Sequence, residues 1–416
     1  MKTLSRRPRV AVVAIATVAF LVECLLISGG ILRSEQFGDV SLYSADAHRM
    51  LHGQIPYRDF FFEYPPGALV VFIAPAVWIA HYTTLFKILM ALLGVATLCV
   101  AAAIAAAAGQ TPRRTALALA WIAAMPLLLG PLVLDEYDIW PALVTCLALL
   151  ALLRGRDGVG AGLLGFGAAT KVFPAAILPV MLVWIYRRSG RRASLRALAI
   201  AAGVAAATYV VFVVIAPGGV WAGIDIHLRR GLQKESLGSA ILFALDQFGA
   251  YKAHIDEANP HWTELTGPAG DALATVSSLC QIAAAIAVAA IAARRRLDAR
   301  TLLYAAAAAV AGFVAFGKVF SPQYLIWLVP LVALAGGLVE NVMLAVALVL
   351  TQLWFLRIVT PFDLDRGVWL VVLRDLLVVG IFVLLLARLR RVERVDASRG
   401  SRTAPRAASS GREAPT

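Results

Sequence analysis

Long apolar runs recur along almost the whole sequence, and they constrain the fold more than any other feature. The apolar segments are 10–31, 67–80, 84–108, 115–132, 139–153, 159–170, 172–186, 195–216, 272–293, 301–317, 322–338, 341–358 and 367–387. Runs of this kind are typical of transmembrane helices, which satisfy their own backbone polar groups inside the bilayer. A composition that is 61% hydrophobic is well above that of soluble domains. The sequence therefore predicts an all-α polytopic membrane protein.

The basic residues mark one side of the membrane. Most of the 38 Lys and Arg residues fall in 2–9, 113–114, 154–156, 187–196, 294–300 and the tail from 388 onward. Such clusters between apolar segments are typical of cytoplasmic loops. The net charge of +13 therefore reports topology and does not indicate a nucleic-acid partner. Both termini are basic, so we expect both in the cytoplasm and an even number of crossings.

We expect about 12 transmembrane helices, because 13 apolar segments would place the termini on opposite sides. Segment 67–80 is the best candidate for a non-crossing stretch. At ~1.5 Å per residue it falls short of a hydrocarbon core ~30 Å thick. Segments 159–170 and 172–186 have basic clusters on both flanks, so the pair should enter and return with its apex, 170–174, on the external side.

The domain organisation follows from this topology. Residues 1–394 form one membrane-embedded domain with two long external loops, 32–66 and 218–271, and shorter ones at 133–138, 317–322 and 358–366. Residues 395–416 are rich in Ala, Ser, Arg and Pro, and we expect a disordered cytoplasmic tail. The protein should lie in the inner (plasma) membrane, with its polar chemistry on the external side.

Asp39 is the candidate catalytic base. It lies where the chain leaves the first apolar segment, ahead of a short helix expected at 40–51. A carboxylate at the membrane edge can take a proton from an acceptor hydroxyl, since partial desolvation raises its pKa toward a working range. The alternative is that Asp39 only caps the helix.

The rest of the first loop alternates aromatic and charged residues. Planar aromatic rings stack against sugars, and an arginine can hold a phosphate through two parallel hydrogen bonds. The loop could equally be an interfacial aromatic belt with surface charges. The candidates are Arg58 for a donor phosphate and Tyr43, His48, Tyr57, Asp59, Glu63 and Tyr64 for substrate binding.

A second external loop carries three carboxylates within four residues, Asp135, Glu136 and Asp138. They could position acceptor hydroxyls or bind a divalent cation, or form only the acidic end of a span. We expect no metal and no other cofactor.

Two lysines are predicted on the same face. Lys171 interrupts an apolar pair of segments, and an intramembrane cation usually marks a functional site with an anionic partner. A lipid-linked phosphate would be that partner for Lys171 and Lys318; pairing of Lys171 with a carboxylate is the alternative. Gln323 and Tyr324, which follow Lys318, are further substrate-binding candidates.

Taken together, these motifs resemble the GT-C superfamily of integral-membrane glycosyltransferases. The pieces that carry the resemblance are Asp39, Pro56-Tyr57-Arg58-Asp59, Tyr64-Pro65-Pro66, Lys171-Val172-Phe173-Pro174 and Ser321-Pro322-Gln323-Tyr324 with the apolar stretch to Pro330. Their order is most similar to glycosyltransferase family 87, which includes polyprenyl-phosphate-mannose-dependent α-mannosyltransferases of actinobacterial envelopes.

The resemblance implies a GT-C-like bundle and an inverting transfer of a sugar, mannose first among the candidates. The donor would be a polyprenyl-phosphate sugar, the acceptor a cell-envelope glycolipid or glycan, and Asp39 the base. Where the family's second loop often reads Gly-Gln-any-Asn, this chain reads Asp135-Glu136-Tyr137-Asp138, which leaves donor and acceptor open. A transporter or lipid flippase for an envelope precursor is the alternative, but polar residues clustered on one side favour chemistry at an interface.

Overall fold

The computed structural model describes residues 6–31, 38–256, 263–358 and 364–393. The tail expected to be disordered, 395–416, and residues 32–37 of the first external loop lie outside the described residues. The α-helices are α1 Arg6–Ser28, α2 Val40–Leu51, α3 Leu69–Ile73, α4 Tyr82–Ala107, α5 Pro112–Ala123, α6 Met125–Leu129, α7 Leu132–Asp135, α8 Ile139–Leu153, α9 Asp157–Ala168, α10 Leu178–Ile215, α11 Pro217–Arg229, α12 Leu237–Gln247, α13 Pro268–Ala293, α14 Ala299–Ala315, α15 Leu325–Ala335, α16 Leu338–Gln352 and α17 Leu364–Arg391.

Short irregular helices join several of these elements. Four are 3₁₀ helices, Pro66–Ala68, Ala74–His81, Phe173–Ile177 and Pro322–Tyr324, and Leu353–Ile358 is a π-helix. All four 3₁₀ helices carry a proline at their first or second position, where the fixed φ of proline suits the start of a helix and its missing N–H costs no hydrogen bond. These segments bring polar residues to the ends of the apolar helices.

Within the described residues, six helical stretches are long and apolar enough to cross a membrane. They are Arg9–Ser28, Pro66–Ala107, Phe173–Ile215, Pro268–Ala293, Leu338–Phe355 and Gly367–Arg391. Shorter apolar helices, such as α8, α14 and α15, pack between them. The predicted all-helical, multi-pass architecture is confirmed, and the number of crossings stays a prediction.

Two of the long stretches are broken inside. Trp78 interrupts Pro66–Ala107 with φ −141° and ψ 77°, so the segment predicted not to cross, 67–80, is set off from α4. Gly190 has φ 82° and divides α10 in the middle of its Arg-rich stretch. The apolar segments 172–186 and 195–216 therefore meet at a turn that only glycine adopts without strain.

The centre of the bundle is built from small and branched apolar side chains. Every residue of α15 is buried, and α14 is buried from Ala305 to Gly312. Alanine and glycine allow helix backbones to approach closely, which is how membrane helices gain contact without a hydrophobic driving force. A Cβ on Gly165 of α9 would overlap the backbone of Ala201 in α10, so these two helices touch through their main chains.

The long loop 218–271 contains structure that the sequence did not predict. After α11, three short strands form an antiparallel sheet in the order β1 (Leu232–Gln233), β3 (Glu264–Thr266), β2 (His254–Asp256). Leu232 pairs with Leu265, and both are fully buried against α12 and α17. This sheet lies beside the loop that carries Lys318, because the backbone N–H of Gln233 donates to the Lys318 carbonyl at 2.9 Å.

Candidate functional site

Helix α2 begins directly after Asp39, as the sequence predicts, and this places the carboxylate at the start of a buried helix face. Asp39 occupies the N-cap position, yet its side chain makes no capping hydrogen bond. Instead its Oδ2 accepts a hydrogen bond from the Tyr64 hydroxyl at 3.2 Å and a long one from the Tyr43 hydroxyl at 3.5 Å. Among the described residues, no group donates to Oδ1 of Asp39. The carboxylate is thus oriented through one oxygen, while the other can meet a substrate hydroxyl.

The aromatic residues of the first loop form the packing behind Asp39. Tyr43 is fully buried and stacks on Phe72 with ring centroids 4.2 Å apart, and Tyr64 meets both rings edge to face. Tyr57 has φ 66°, an uncommon conformation for a residue with a side chain, and its hydroxyl donates to the Tyr64 carbonyl. These tyrosines fix the loop that holds the carboxylate. Their predicted contact with substrate stays a prediction.

The three carboxylates of the second loop, between α7 and α8, point to three different partners. Asp135 pairs with Lys87 of α4 at 2.9 Å. Glu136 accepts a hydrogen bond from the backbone N–H of Asp39 at 3.1 Å, and its Oε2 lies 2.9 Å from the Tyr43 hydroxyl oxygen. The loop therefore connects α4 to α2 and contacts Asp39 directly.

Asp138 is the partner of Lys171. The Lys171 ammonium lies 2.8 and 2.9 Å from the two carboxylate oxygens, and the Trp327 indole N–H donates to Oδ1 at 2.6 Å. The Lys171 Nζ also lies 4.5 Å from the centre of the Tyr137 ring. Burial lowers the pKa of Lys171, but the Asp138 carboxylate outweighs it, so the pKa is held above its ordinary value. Lys171 is thus charged and paired in this structure.

The 3₁₀ helix Pro322–Tyr324 completes this region. Gln323 donates from Nε2 to Glu136 at 3.4 Å, and Tyr324 stacks on Trp327 with ring centroids 4.0 Å apart. Trp327 stacks in turn on Phe173, at 4.2 Å. Segments far apart in the chain, at 39–64, 135–138, 171–173 and 323–327, therefore meet in one place. We refer to this region as the Asp39 site.

Lys318 lies in the neighbouring loop, where its ammonium donates hydrogen bonds to backbone carbonyls. Nζ donates to the carbonyls of Leu228 and Arg230 at 2.9 and 2.6 Å, at the C-terminal end of α11. A cation there is favourable because the last carbonyls of a helix carry partial negative charge. Burial lowers the pKa of Lys318, opposed by the charge of Glu264. None of the described contacts joins Lys318 directly to Asp39 or Lys171.

Four further candidates of the first loop lie toward the surface. Arg58 and Asp59 pair with each other at 2.8 Å, and the Arg58 guanidinium holds the pKa of Asp59 below its ordinary value. His48 is exposed on α2, with its ring 4.3 Å from that of His52. The backbone carbonyl of Glu63 contacts the His227 ring nitrogen at 3.0 Å. None of the described contacts joins the side chains of these four residues to Asp39 or Lys171.

A family model, glycosyltransferase family 87, matches residues 61–322, which is more than half of the chain. The chain belongs to glycosyltransferase family 87. The resemblance seen in the sequence is thereby confirmed, and this family 87 protein is a membrane glycosyltransferase. The match includes Lys171 and Lys318 but begins after Asp39, so the role of Asp39 rests on the geometry.

Among the solved structures that are similar to the family 87 protein, one covers most of the chain. It is a crystal structure of ArnT from Cupriavidus metallidurans bound to undecaprenyl phosphate, with 17% sequence identity and a TM-score of 0.49. The similarity covers 92% of this chain and 77% of ArnT. No curated protein matches the sequence.

Three residues in or beside the Asp39 site were not singled out from the sequence. Lys87 lies within the apolar segment 84–108, and a charge in such a segment was the signal that could have found it. Asp46, two helical turns after Asp39, is 4% exposed; burial raises its pKa to about 6, with Arg49 opposing and Glu63 adding to the shift. Nothing in the sequence marked Trp327 as a binding residue except its place in the stretch from Ser321 to Pro330.

The carboxylates of the Asp39 site do not form a metal-binding cluster. In the described ranges, no three side chains of His, Cys, Asp or Glu converge on a common point with metal-binding spacing. Asp39, Glu136 and Asp138 are near one another, but each is engaged by tyrosine hydroxyl, backbone, lysine or indole donors. The expectation of no resident metal remains a prediction.

Proposed function

We propose that this family 87 enzyme transfers mannose from a polyprenyl-phosphate donor to a glycolipid or glycan acceptor of the cell envelope. The observation that carries the proposal is the orientation of Asp39, whose Oδ2 is held by tyrosine hydroxyls while Oδ1 is left for a substrate. A base held in this way suits the removal of a proton from an acceptor hydroxyl. The membrane-embedded bundle suits a donor with a lipid tail.

The reaction we propose is a single displacement. The acceptor hydroxyl oxygen attacks the anomeric carbon of the sugar, and the bond to the phosphate oxygen breaks. Asp39 takes the hydroxyl proton, and polyprenyl phosphate leaves with the bonding electron pair. Attack from the face opposite the phosphate inverts the anomeric configuration.

A leaving phosphate needs positive charge nearby, and Lys171 pairs with Asp138 on the loop whose Glu136 contacts Asp39. Its ammonium is already bound by Asp138, so a phosphate oxygen would share it with that carboxylate. Lys318 and Arg58 remain proposed phosphate ligands. For either to reach the phosphate, Lys318 must leave the α11 carbonyls or Arg58 must leave Asp59.

The site is proposed to face the external side of the inner membrane. The Arg-rich break at Gly190 begins the second segment of α10, and α11 follows the other end of that segment. Basic clusters favour the cytoplasm, which leaves α11, the small sheet and the first loop outside. We expect transfer to need no metal, and a chelator should leave the rate unchanged.

The test is Asp39→Asn, assayed in lipid nanodiscs with labelled polyprenyl-phosphate-mannose and, separately, with the arabinose analogue. Because the Asp39 side chain makes no capping hydrogen bond, the variant should fold and bind donor normally. Loss of the base should lower kcat by about 10²–10⁴-fold. Asp225→Asn, in a partly exposed ion pair with Arg229 on α11, is the matched control and should transfer at the wild-type rate.

Two results would contradict the proposal. Transfer by Asp39→Asn at near wild-type rate would remove Asp39 from the mechanism. Transfer from the arabinose donor alone would contradict mannose as the donor sugar, but it would not contradict the role of Asp39.

A further inference from the structure

Glu136 is the carboxylate of the Asp39 site that the proposed reaction does not use. It is 3% exposed, and both of its oxygens are engaged by the protein. Oε1 accepts the backbone N–H of Asp39 at 3.1 Å, and Oε2 lies 2.9 Å from the Tyr43 hydroxyl and 3.4 Å from Gln323 Nε2. A side chain so enclosed has no free oxygen for an acceptor sugar.

The charges around Glu136 disfavour its ionised form. Asp39 faces it from the start of α2, and Asp138 is on the same loop. The ammonium of Lys171 acts on Glu136 as an opposing charge, but it is paired with Asp138 at 2.8 and 2.9 Å. Burial raises the pKa of Glu136 well above its ordinary value, and the charges of Asp39 and Asp138 add to the shift, while Lys171 and Tyr43 oppose it.

We propose that Glu136 is a positioning residue that works as a neutral carboxylic acid, giving its proton to the Tyr43 hydroxyl so that Tyr43 donates to Asp39. The chain of donors then runs from Oε2 of Glu136 to the Tyr43 oxygen, and from the Tyr43 hydrogen to Oδ2 of Asp39. Tyr64 supplies the second hydrogen bond to the same oxygen. Through Oε1, Glu136 also fixes the backbone of the base.

Ionisation of Glu136 would undo this arrangement. An ionised Glu136 accepts the Tyr43 hydrogen at 2.9 Å, which leaves Tyr64 alone to orient Oδ2 of Asp39. It would also place an unpaired negative charge in a buried position. The proposal rests on the role of Asp39 given above, so its test needs measurements that do not depend on sugar transfer.

The kinetic test compares Glu136→Gln with Glu136→Ala. Glutamine keeps an oxygen for the Asp39 N–H and an N–H for Tyr43, so it should retain most of the wild-type kcat. Alanine removes both contacts, and misplacement of the base should cost about 10²-fold in kcat with little change in the acceptor KM. The wild-type rate should fall as pH rises through the raised pKa of Glu136, and Glu136→Gln should lack that fall.

The second test uses the folded protein without substrate. A carboxyl whose pKa is raised on folding binds its proton more tightly in the native state, so its contribution to stability is lost as pH rises above its unfolded value of ~4.3. As the pH rises from ~4.3 toward the raised pKa of Glu136, the melting temperature of Glu136→Gln should therefore fall less than that of the wild type. The infrared band of a protonated carboxylic acid should also lose intensity in Glu136→Gln and not in the control Asp225→Asn.

These measurements separate the two proposals. A missing infrared difference, or a melting temperature with the same pH dependence in Glu136→Gln and wild type, would overturn the neutral state of Glu136. A Gln variant as impaired in kcat as the Ala variant would overturn it as well. If no lipid-phosphate donor is used at all, the proposed function fails, while the infrared and melting measurements still decide the state of Glu136.

Discussion

Lys171 and Asp138 form an ion pair that joins two distant parts of the chain at the Asp39 site. The Asp138 side chain is fully buried, and that of Lys171 is 15% exposed. Removing one member of such a pair leaves the other charged or forces it to change protonation in a nonpolar setting. Their separation of 33 residues gave no periodic signal in the sequence, which is why the partner of Lys171 could not be chosen there.

We therefore predict that Lys171→Met is destabilised by about 3–5 kcal/mol in its free energy of unfolding. The double variant Lys171→Met/Asp138→Asn removes both charges and should recover most of that loss. Chemical unfolding of the detergent-solubilised proteins, followed by tryptophan fluorescence, measures both. A single variant as stable as the wild type would show that the pair contributes little to folding.

The donor-binding role of Lys171 has its own readout in the same variants. If Lys171 contacts the leaving phosphate, the stable double variant should still bind donor more weakly, by about 1.5–3 kcal/mol for a charge-assisted hydrogen bond. Titration of polyprenyl-phosphate-mannose into nanodiscs measures this. Wild-type donor affinity in the double variant would restrict Lys171 to a role in folding.

Among the secondary-structure elements, α11 connects the two halves of the site. Gly219 and Gly223 lie one turn apart on the face toward the first loop, where a Cβ on Gly219 would overlap the Tyr57 carbonyl. The C-terminal carbonyls of the same helix bind Lys318. The helix thus holds the loop that carries Asp39 against the loop that leads to Gln323.

This contact gives a prediction with an adjacent control. Gly219→Ala should force the first loop away from α11 and cost about 1–3 kcal/mol of stability, as overpacking does in other well-packed interiors. Gly218→Ala, whose Cβ meets nothing within 4 Å, should be neutral or gain about 0.5–1 kcal/mol from its helical position. Thermal unfolding and kcat of both variants test this; equal behaviour would mean that the loop does not depend on α11.

Which elements were predictable depended on their length and period. Helix α2 was predicted with its bounds because charged and apolar residues alternate around a helix of three turns. The strands β1, β2 and β3, of two or three residues each, are too short for an alternating pattern. Helix α11 was predicted as part of an external loop because Pro217-Gly218-Gly219 is typical of a turn.

For the whole molecule, hydrophobicity alone determined the class of fold, since a span must be apolar over its full length whatever its neighbours are. The site was only partly predictable. The sequence placed Asp39, Lys171 and Gln323 on one side through loop topology, and the structure joins them through Glu136 and Asp138. The side-chain partners could not be predicted, because they depend on helix packing that one sequence does not encode locally.

The orientation of the molecule in the membrane is the last prediction, and the position of the site depends on it. Single cysteines at Ala45 on α2, Lys252 in the small-sheet region and Ser189 beside the break in α10 are exposed positions for labelling. The background should lack the native cysteines, of which Cys99 is exposed. A membrane-impermeant maleimide added to intact cells should label positions 45 and 252, and label position 189 only after the membrane is opened. Labelling of position 189 from outside, with 45 and 252 protected, would reverse the orientation and place the Asp39 site in the cytoplasm, where a nucleotide-linked sugar could serve as donor.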